Sequence, residues 1–363
     1  MAITDPALPL AGRAVRGEDY QRLGLTPDKV ERWEDGARTD GGRGTFEWWY
    51  FDAHLDDGTA LVVVFMDKDL TDPDKPLSPM VRINVDLPDG RSLQKVQRFA
   101  PGSYSAATDH ADIQIGANRF TGDLHRYQIT AAIDEVSVEV VLTGQVAPWR
   151  PGTGEVYFGA DRTRRFAWLA SVPQGHVEAR YRIDGESHEA SGVGYHDHNW
   201  GNAALPKLIH DWYWARGQAG PYSVITAYET AARKYGYTPI TSFMLARDGQ
   251  VVAGDAARVG FEREGVYIDD ETGKPVASVL RYRYEDGDCR YVVTYTRQED
   301  LARSRMLEGI HGVKRFAAIL AGFDGAYLRF SGECRVQRYR GDSLVEEHAD
   351  KAIWELMYFG HAR

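Results

Sequence analysis

The nine residues GYHDHNWGN, at positions 194–202, place two histidines, an aspartate and an asparagine beside a tryptophan. Successive side chains of an extended segment point to opposite sides, so this segment has two chemically different faces. One face carries His196, His198 and Trp200, and the other carries Tyr195, Asp197 and Asn199. Three kinds of chemistry suit such a segment: a metal site, a nucleophilic triad, or acid–base catalysis beside an aromatic wall.

The two histidines favour a metal site at first sight. His196 and His198 are spaced as in the His-x-His pairs of β-barrel metal sites, with His210 or a carboxylate available to complete the shell. No further histidine or cysteine cluster follows at a recognisable spacing, however, and the HExxH motif is absent. We therefore predict that the protein binds no metal.

Nucleophilic and cofactor-dependent chemistry have weaker signals. The chain has no GxSxG motif, and neither Cys289 nor Cys334 is close to a histidine in sequence. The glycine-rich stretches at 38–45 and 150–159 match neither a phosphate loop nor a GxGxxG turn between strand and helix. We predict that no cofactor is bound.

Acid–base catalysis is the remaining hypothesis, because carboxylates recur in strands whose neighbours are large and apolar. Glu47 shares a face with Trp49 in FEWWYFDAHL. In IHDWYWARG the same alternation sets His210 against Asp211. Burial of an ionised carboxylate is costly, so the pKa of such a group should rise until it holds a proton near neutral pH. A neutral acid of this kind can protonate an alkene or a carbonyl.

Two sets of candidate residues follow from this hypothesis. The candidate catalytic residues are His198, Asp197, His196, Asp211 and Glu47. The candidate substrate-binding residues, whose rings can stabilise a carbocation where water is excluded, are Trp200, Trp212, Trp214, Trp49, Tyr50, Tyr195 and Tyr228. A competing hypothesis is structural: the histidines, aspartate and asparagine satisfy buried backbone groups between two halves of the chain.

The elements that must position these residues are mostly strands. Phe, Trp and Tyr make up 12% of the chain, and this aromatic content favours β structure. Runs rich in β-branched and aromatic residues, bounded by turn signals, predict strands at 59–66, 80–87, 125–133, 136–144, 176–183, 222–229, 278–285, 290–296 and 326–339. Two short helices are predicted, at 26–35 with Thr26 as the cap and at 302–323. Many short strands separated by turns indicate an antiparallel barrel or sandwich.

A weak internal repeat indicates how these strands are organised. The stretch EWWYFDAHLDDGTALVVVF begins at Glu47, and DWYWARGQAGPYSVITAYE begins at Asp211. Each starts with a carboxylate and three aromatic residues, reaches a glycine turn and continues into an apolar strand. The repeat predicts two similar β units. We expect an N-terminal extension at 1–39, one unit at 40–204 and a second unit at 205–363.

Composition argues against several classes of partner. The formal net charge of −10 disfavours a nucleic-acid binder and docking on anionic lipid. Because no run of about 18 apolar residues is present, we expect no stable membrane insertion. The first residues lack a basic region followed by an apolar one, so we expect no signal peptide and a cytoplasmic location. We also expect a monomer that binds a hydrophobic small molecule.

Four segments together resemble one superfamily: FEWWYFDAHL, GYHDHNWG, HDWYWARG and AIWELMYFG. They are similar to segments of the carotenoid 1,2-hydratase (hydroxyneurosporene synthase) and AttH-like superfamily, which also contains prenyl hydratases and lipocalin-like Diels–Alderases. The resemblance implies an all-β fold of two lipocalin-like antiparallel β-barrel domains in tandem, with few short helices. It also implies catalysis without a metal or an organic cofactor.

The hydratases of this superfamily use a His-x-Trp element, which His198 and Trp200 match. They also use a downstream tyrosine–acid element, whose nearest counterparts here are Tyr228 and Glu229 at a different spacing. For this chain the resemblance thus implies a proton-transfer site that includes His198 and Trp200, with a departure from the hydratase pattern further along.

The leading hypothesis is acid-catalysed hydration of a carbon–carbon double bond in an apolar polyene or prenyl-bearing metabolite. One carboxylic acid would protonate the alkene, two tryptophans would flank the tertiary cation, and His198 would direct water. The acid is Asp197, Asp211 or Glu47, and the tryptophans are Trp200 and Trp212. The alternatives are a cyclase of the Diels–Alderase type, which folds a polyene into a near-attack conformer, and a non-catalytic carrier of a hydrophobic ligand.

Overall fold

The computed structural model describes residues 10–306 and 324–362 of the chain. Two compact units are present. The N-terminal unit comprises Arg13–Val156 and Arg164–Leu205, and the C-terminal unit comprises the described parts of 1–12, 157–163 and 206–363. Residues 13–39 are thus part of the N-terminal unit. The domain boundaries at 39/40 and 204/205 stay predictions.

The described residues are almost entirely β structure. The first strands in chain order are β1 Ala11–Arg13, β2 Phe46–Leu55, β3 Ala60–Met66, β4 Met80–Asp86, β5 Ser92–Arg98, β6 Tyr104–Ala106, β7 Ala111–Ile115, β8 Asn118–Gly122, β9 Arg126–Ile133, β10 Val136–Gly144, β11 Glu155–Phe158, β12 Arg164–Ile183 and β13 Glu186–Gly201. The later strands are β14 Ile209–Ala219, β15 Tyr222–Ala231, β16 Pro239–Arg247, β17 Gln250–Ala253, β18 Val259–Glu264, β19 Tyr267–Ile268, β20 Pro275–Val276, β21 Val279–Asp286, β22 Cys289–Arg305, β23 Ala326–Arg340 and β24 Ser343–Tyr358. Short 3₁₀ turns lie at Arg32–Asp35, Pro101–Ser103, Leu205–Lys207, Arg233–Tyr235 and Ala256–Arg258.

Each unit is built on one large antiparallel sheet that curls into a half-barrel. In the N-terminal unit the strand order is β5-β4-β3-β2-β13-β12-β10-β9-β8-β7-β6. In the C-terminal unit it is β17-β16-β15-β14-β24-β23-β22-β21-β18, with β19 and β20 as a separate pair. The predicted all-β class is confirmed, and each of the nine predicted strands coincides with an observed one.

Period-two alternation places the core of the N-terminal unit inside its curled sheet. Along β9 the side chains of Tyr127, Ile129 and Ile133 are buried, whereas those of Gln128 and Thr130 between them are exposed. Burying an apolar side chain of this size stabilises the fold by about 1.5–3 kcal/mol. The same alternation on β2 and β13 therefore directs one row of side chains into this core.

The predicted helix at 26–35 is wrong. A single 3₁₀ turn spans Arg32–Asp35, and Thr26 and Lys29 form an isolated β-bridge. The physical reason is the buried guanidinium of Arg150. Its Nη2 donates to the carbonyl oxygens of Thr26 (2.7 Å) and Lys29 (3.0 Å), which a continuous helix would use for its own hydrogen bonds.

The α-helix in this part of the chain lies earlier, as α1 at Gly17–Leu23, and ends at Gly24 in the left-handed conformation. The first residues of the helix predicted at 302–323 belong instead to strand β22, which continues to Arg305. Residues 307–323 of that predicted helix lie outside the described part of the chain. Of the helices in the described residues, none has the length and apolar character needed to cross a membrane.

Candidate active site

Strands β13 and β2 lie side by side and carry most of the candidate residues of the N-terminal unit. Their register sets Trp200 opposite Glu47 and His198 opposite Trp49. Directly opposed residues of paired strands share a face, and Trp49 belongs to the hydrophobic core of the unit. We call this side the core face. Asp197 lies on the other side, the reverse face, as the alternation predicted.

Glu47 is fully buried on the core face, and the described residues supply four hydrogen-bond donors to its carboxylate. Its Oε1 accepts from His198 Nε2 (2.7 Å) and from the backbone N–H of Arg38 (2.5 Å). Its Oε2 accepts from the backbone N–H (3.1 Å) and the hydroxyl (3.0 Å) of Thr39. Hydrogen bonds of this kind favour the charged form of a carboxylate, so the surroundings of Glu47 suit an anion.

Asp35 lies at the end of a 3₁₀ turn and connects the two histidines. It is 1% exposed and accepts hydrogen bonds from the hydroxyls of Tyr127 (2.5 Å) and Ser171 (2.8 Å) and from His196 Nε2 (3.1 Å). Burial alone would raise the pKa of Asp35, but the positive charges of His196 and His198 and the hydrogen bonds from His196 and Tyr127 together outweigh burial and hold that pKa below its usual value. Asp35 is therefore a buried carboxylate that stays ionised.

His196 is the cationic partner of Asp35. Its Nδ1 lies 2.9 Å from the backbone oxygen of Tyr50, and its Nε2 lies 3.1 Å from Asp35 Oδ2. Both neighbours are hydrogen-bond acceptors, an arrangement that suits a ring with hydrogen on both nitrogens. The rings of Phe120 and Tyr127 pack against it at centroid distances of 4.7 and 4.5 Å. Asp35 and His196 thus form a buried ion pair.

His198 is held between two tryptophans. Its ring stacks on Trp49 at 4.6 Å with an interplanar angle of 13°, and Trp200 lies 4.8 Å away at 42°. Trp49 is fixed in turn because its Nε1 donates to the backbone oxygen of Asp35 (3.0 Å). His198 Nδ1 lies 3.5 Å from Asp35 Oδ1 without a hydrogen bond and has no other partner among the described residues. This buried nitrogen is available to a water molecule or a polar substrate atom.

Asp67 adds a second carboxyl group beside Glu47. It follows β3 directly and is 1% exposed. Its Oδ1 accepts the backbone N–H of Glu47 (2.7 Å), and its Oδ2 has no partner within residues 10–306 and 324–362. Burial, reinforced by the negative charge of Glu47, raises the pKa of Asp67 to about 7. A group with such a pKa exchanges its proton near neutral pH.

Five buried ionisable groups of the N-terminal unit lie close together. We call them the core-face cluster, which consists of Asp35, Glu47, Asp67, His196 and His198. None of the five is more than 1% exposed. Burying this much charge is expensive, and titratable groups with shifted pKa values, such as Asp35 and Asp67, cluster at functional sites. The arrangement can donate, accept and store protons beside an aromatic wall.

On the reverse face of β13, the buried carboxyl group of Asp197 is well satisfied. Asp197 Oδ2 accepts from the Tyr195 hydroxyl (2.7 Å) and from Trp168 Nε1 (3.0 Å), and its Oδ1 accepts from Asn199 Nδ2 (2.7 Å). Burial raises the pKa of Asp197 to about 7 despite these donors. On the same face the Tyr50 hydroxyl donates to Asp52 Oδ2 (3.1 Å). Asp197, Tyr195 and Tyr50 are thus separated from the core-face cluster by the strand itself.

The remaining sequence candidates, Asp211, Trp212, Trp214 and Tyr228, lie in the C-terminal unit. The predicted separation of His210 from Asp211 is wrong: a register shift follows Ile209, and His210 Nδ1 lies 2.5 Å from Asp211 Oδ2. Asp211 Oδ1 also accepts the hydroxyl of Thr230 (3.1 Å). This carboxylate is tied into its own strand pair.

The aromatic candidates of the C-terminal unit also have local partners. Trp212 Nε1 donates to Glu355 Oε1 (3.0 Å), and Tyr228 stacks on Phe261 at a centroid distance of 4.0 Å. Trp214 is half-buried on the same strand as Trp212. In the described part of the chain, no three His, Cys, Asp or Glu side chains are arranged to hold a metal ion.

Sequence reasoning missed Asp35, Asp67, Tyr127 and Ser171. A signal existed for Asp67, since FMD ends an apolar strand with a carboxylate, the same pattern that singled out Glu47. Tyr127 and Ser171 lie in long, regular strands and look like ordinary sheet residues in sequence. Asp35 gave no signal, because the residues around it were predicted to form a helix.

A family model matches most of this chain. The model of the Diels-Alderase-like family matches residues 42–268. The chain belongs to the Diels-Alderase-like family. Four members of the core-face cluster of this Diels-Alderase-like protein lie within the matched region, and Asp35 precedes it.

Individual proteins are similar to this chain in sequence or in fold. The Diels-Alderase-like chain is 25% identical to the quinolone epoxide rearrangement protein AsqO of Emericella nidulans, over 84% of this chain and 83% of AsqO. An AttH-type protein of Nitrosomonas europaea has a similar structure, with a TM-score of 0.59 and 15% identity over 93% of this chain and 99% of that chain. Kievitone hydratase of Nectria haematococca gives a TM-score of 0.55 and 13% identity over 98% of both chains. The resemblance to the lipocalin-like superfamily and the lipocalin-like fold are confirmed.

Proposed function

We propose that this protein is an enzyme that isomerises a small apolar natural product by proton transfer, without net gain of water. Membership of the Diels-Alderase-like family and the relationship to a quinolone epoxide rearrangement protein support a rearrangement or cyclisation. The observation that carries the proposal is the buried Glu47–His198 pair, held at 2.7 Å between Trp49 and Trp200. Imidazole and carboxylate in contact can take up and return a proton during one turnover.

An epoxide illustrates the chemistry. Protonation of the epoxide oxygen breaks one carbon–oxygen bond and leaves a carbocation, towards which a neighbouring group migrates with its bonding electrons. Loss of the hydroxyl proton then forms a carbonyl group, so the product is an isomer of the substrate. Trp200 would stabilise the cation through its ring, and the Glu47–His198 pair would accept the released proton.

Hydration of a double bond is a second candidate, and the free His198 Nδ1 favours it. This nitrogen is buried, lies beside Trp200 and 3.5 Å from Asp35 Oδ1, and has no hydrogen-bond partner among the described residues, so it could orient a water molecule. His198 and Trp200 also form the His-x-Trp element that the hydratase resemblance implies. A hydrated product would contain one more water than its substrate.

Mass spectrometry distinguishes these activities. Purified protein incubated with a quinolone epoxide should give a product of unchanged mass and altered chromatographic retention. A product heavier by one water would favour hydration, and recovery of unchanged substrate despite binding would favour a carrier. Glu47→Gln should abolish isomerisation, whereas the exposed Glu139→Gln on β10 is the matched control. Wild-type rates in the Glu47→Gln variant would refute the assigned site.

A further inference from the structure

We infer that Asp67 is the proton donor of this site, acting as the neutral partner of the ionised Glu47. The inference rests on the proposed function and names the acid within it. Asp67 lies directly across from Glu47 where β3 ends: the Glu47 N–H donates to Asp67 Oδ1 (2.7 Å), and the Asp67 N–H donates to the backbone oxygen of Glu47 (3.1 Å). The two carboxyl groups are therefore held in a fixed relation by backbone hydrogen bonds.

The hydrogen bonds of the two carboxyl groups assign them different protonation states. Glu47 accepts four hydrogen bonds, one of them from the His198 ring. The Asp67 carboxyl accepts the backbone N–H of Glu47 on Oδ1 and is also influenced by the backbone N–H of Lys68, but its buried Oδ2 has no hydrogen-bond partner in the described residues. An ionised oxygen in that position would be desolvated without compensation. The proton therefore resides on Asp67 Oδ2, the atom that can donate it.

The charges around Asp67, taken together, also favour its neutral form. The nearby Glu47 anion disfavours a second negative charge, as expected for two close carboxyl groups. The adjacent Lys68 opposes this effect, but its ammonium group is hydrogen-bonded to the backbone oxygens of Gly42 and Pro73. Burial, with the charges of Glu47 and Asp67, raises the pKa of the Tyr104 phenol, which therefore stays neutral. The surroundings of Glu47 favour its charged form, whereas those of Asp67 favour its neutral form. Such a difference is the pattern by which paired carboxyl groups divide base and acid roles.

The reaction sequence then balances. Asp67 Oδ2–H gives its proton to the substrate oxygen as the carbon–oxygen bond breaks, and Asp67 becomes a carboxylate. The carbocation rearranges, and its hydroxyl proton passes to the Glu47–His198 pair. Return of that proton to Asp67 restores the resting state, so no oxidant, reductant or other reactant is needed.

The protonation state can be tested without a substrate. Carbon-13 NMR of protein labelled at the aspartate carboxyl carbons should show two buried resonances that titrate near neutral pH. Asp67→Asn should remove one of them, and Asp197→Asn should remove the other. An Asp67 resonance that titrates near the ordinary aspartate value of about 4 would overturn the inference.

Catalysis supplies the second test, with a quinolone epoxide as the probe. Asp67→Asn should lower kcat by about a hundredfold or more while circular dichroism shows a native fold, because Asn keeps the Oδ1 acceptor but its amide hydrogens are not acidic enough to be transferred. Asp67→Glu should restore part of the rate, and Asp112→Asn, at the exposed pair with Arg119, is the matched control. The wild-type rate should fall as pH rises above about 7, the value at which Asp67 ionises.

The outcomes separate the two hypotheses. An Asp67→Asn variant with the wild-type kcat would overturn the assignment of Asp67 and leave the proposed function intact. Lack of isomerisation by the wild-type protein would overturn the proposed function, while the NMR titration would still decide whether Asp67 carries the proton.

Discussion

Strand β13 carries buried titratable side chains on both faces, and the two faces differ in how their polar atoms are satisfied. On the reverse face both oxygens of Asp197 accept hydrogen bonds from neutral side chains. On the core face, His198 Nδ1 and Asp67 Oδ2 have no hydrogen-bond partner in the described part of the chain. A buried polar atom without a partner costs free energy, and such atoms persist where a ligand or a reaction uses them.

A raised carboxyl pKa occurs on both faces. Burial raises the pKa of both Asp67 and Asp197 to about 7, so this value alone does not identify a catalytic acid. Asp197 holds together Tyr195, Trp168 and Asn199 and has no unpartnered oxygen to present to a substrate. Asp67 has such an unpartnered oxygen, Oδ2, beside the Glu47–His198 pair. Unsatisfied geometry, rather than the pKa, therefore assigns chemistry to the core face.

The largest effect is expected for Glu47→Gln. The substitution keeps the shape of the side chain but removes the charge that receives the His198 Nε2–H, so the pair loses its capacity to accept a proton. We expect kcat for a quinolone epoxide to fall by about a hundredfold or more. Steady-state kinetics on Glu47→Gln beside Glu139→Gln measures the effect. Equal rates in the two variants would remove the core face from the mechanism.

The second effect concerns stability. Asp35→Asn would leave the His196 imidazolium buried without its counter-charge. Loss of one partner of a buried ion pair costs about 3–5 kcal/mol of unfolding free energy. Urea denaturation followed by tryptophan fluorescence should show this loss at pH 7. A variant within about 1 kcal/mol of wild type would mean that His196 is neutral in the fold.

The third prediction uses the pH dependence of Asp197→Asn. The pKa of Asp197 is raised by burial, so its stabilising contribution is complete below its unfolded pKa of about 4 and is lost as pH rises to about 7. Replacement by Asn removes that dependence. The unfolding free energy of wild type minus that of Asp197→Asn should therefore decrease between these pH values, by at most about 4 kcal/mol.

Paired urea titrations at pH 4, 5.5, 7 and 8 would measure this difference. A constant difference across the series would show that burial does not raise the pKa of Asp197 above its unfolded value. Asp35 should behave oppositely: its pKa is lowered, so its contribution is lost as pH falls below the ordinary aspartate range. Asp197 and Asp35 are thus distinguishable by the sign of their pH dependence.

Sequence analysis could predict the faces of the site because alternation is a local property. Period two alone placed His196, His198 and Trp200 together and set Asp197 against them, as the register of β13 with β2 shows. It failed where the backbone departs from a regular strand: the register shift before Asp211 brings His210 and Asp211 into contact.

Residues outside regular strands could not be placed from sequence. Asp35 reaches His196 across 161 positions, and its location depends on Arg150 holding the preceding segment out of a helix. Asp67 is only 20 positions from Glu47 and is placed by the β2–β3 pair, so a search for carboxylates that end apolar strands would have found it.

The smallest effect is expected from replacing single tryptophans on the two faces. Trp200→Phe keeps an aromatic ring next to His198 but weakens its attraction for a cation, by about 1 kcal/mol, or roughly fivefold in kcat. Trp48→Phe is the matched change on the reverse face of β2, where the indole stacks between Phe46 and Phe166. It should alter kcat by less than about twofold while costing some stability, because it affects packing rather than the cation. Kinetics measured in parallel on both variants tests which face of the sheet holds the reacting carbon. A larger kcat effect at Trp48 than at Trp200 would place that carbon on the reverse face. Asp197, not Asp67, would then be the acid to examine.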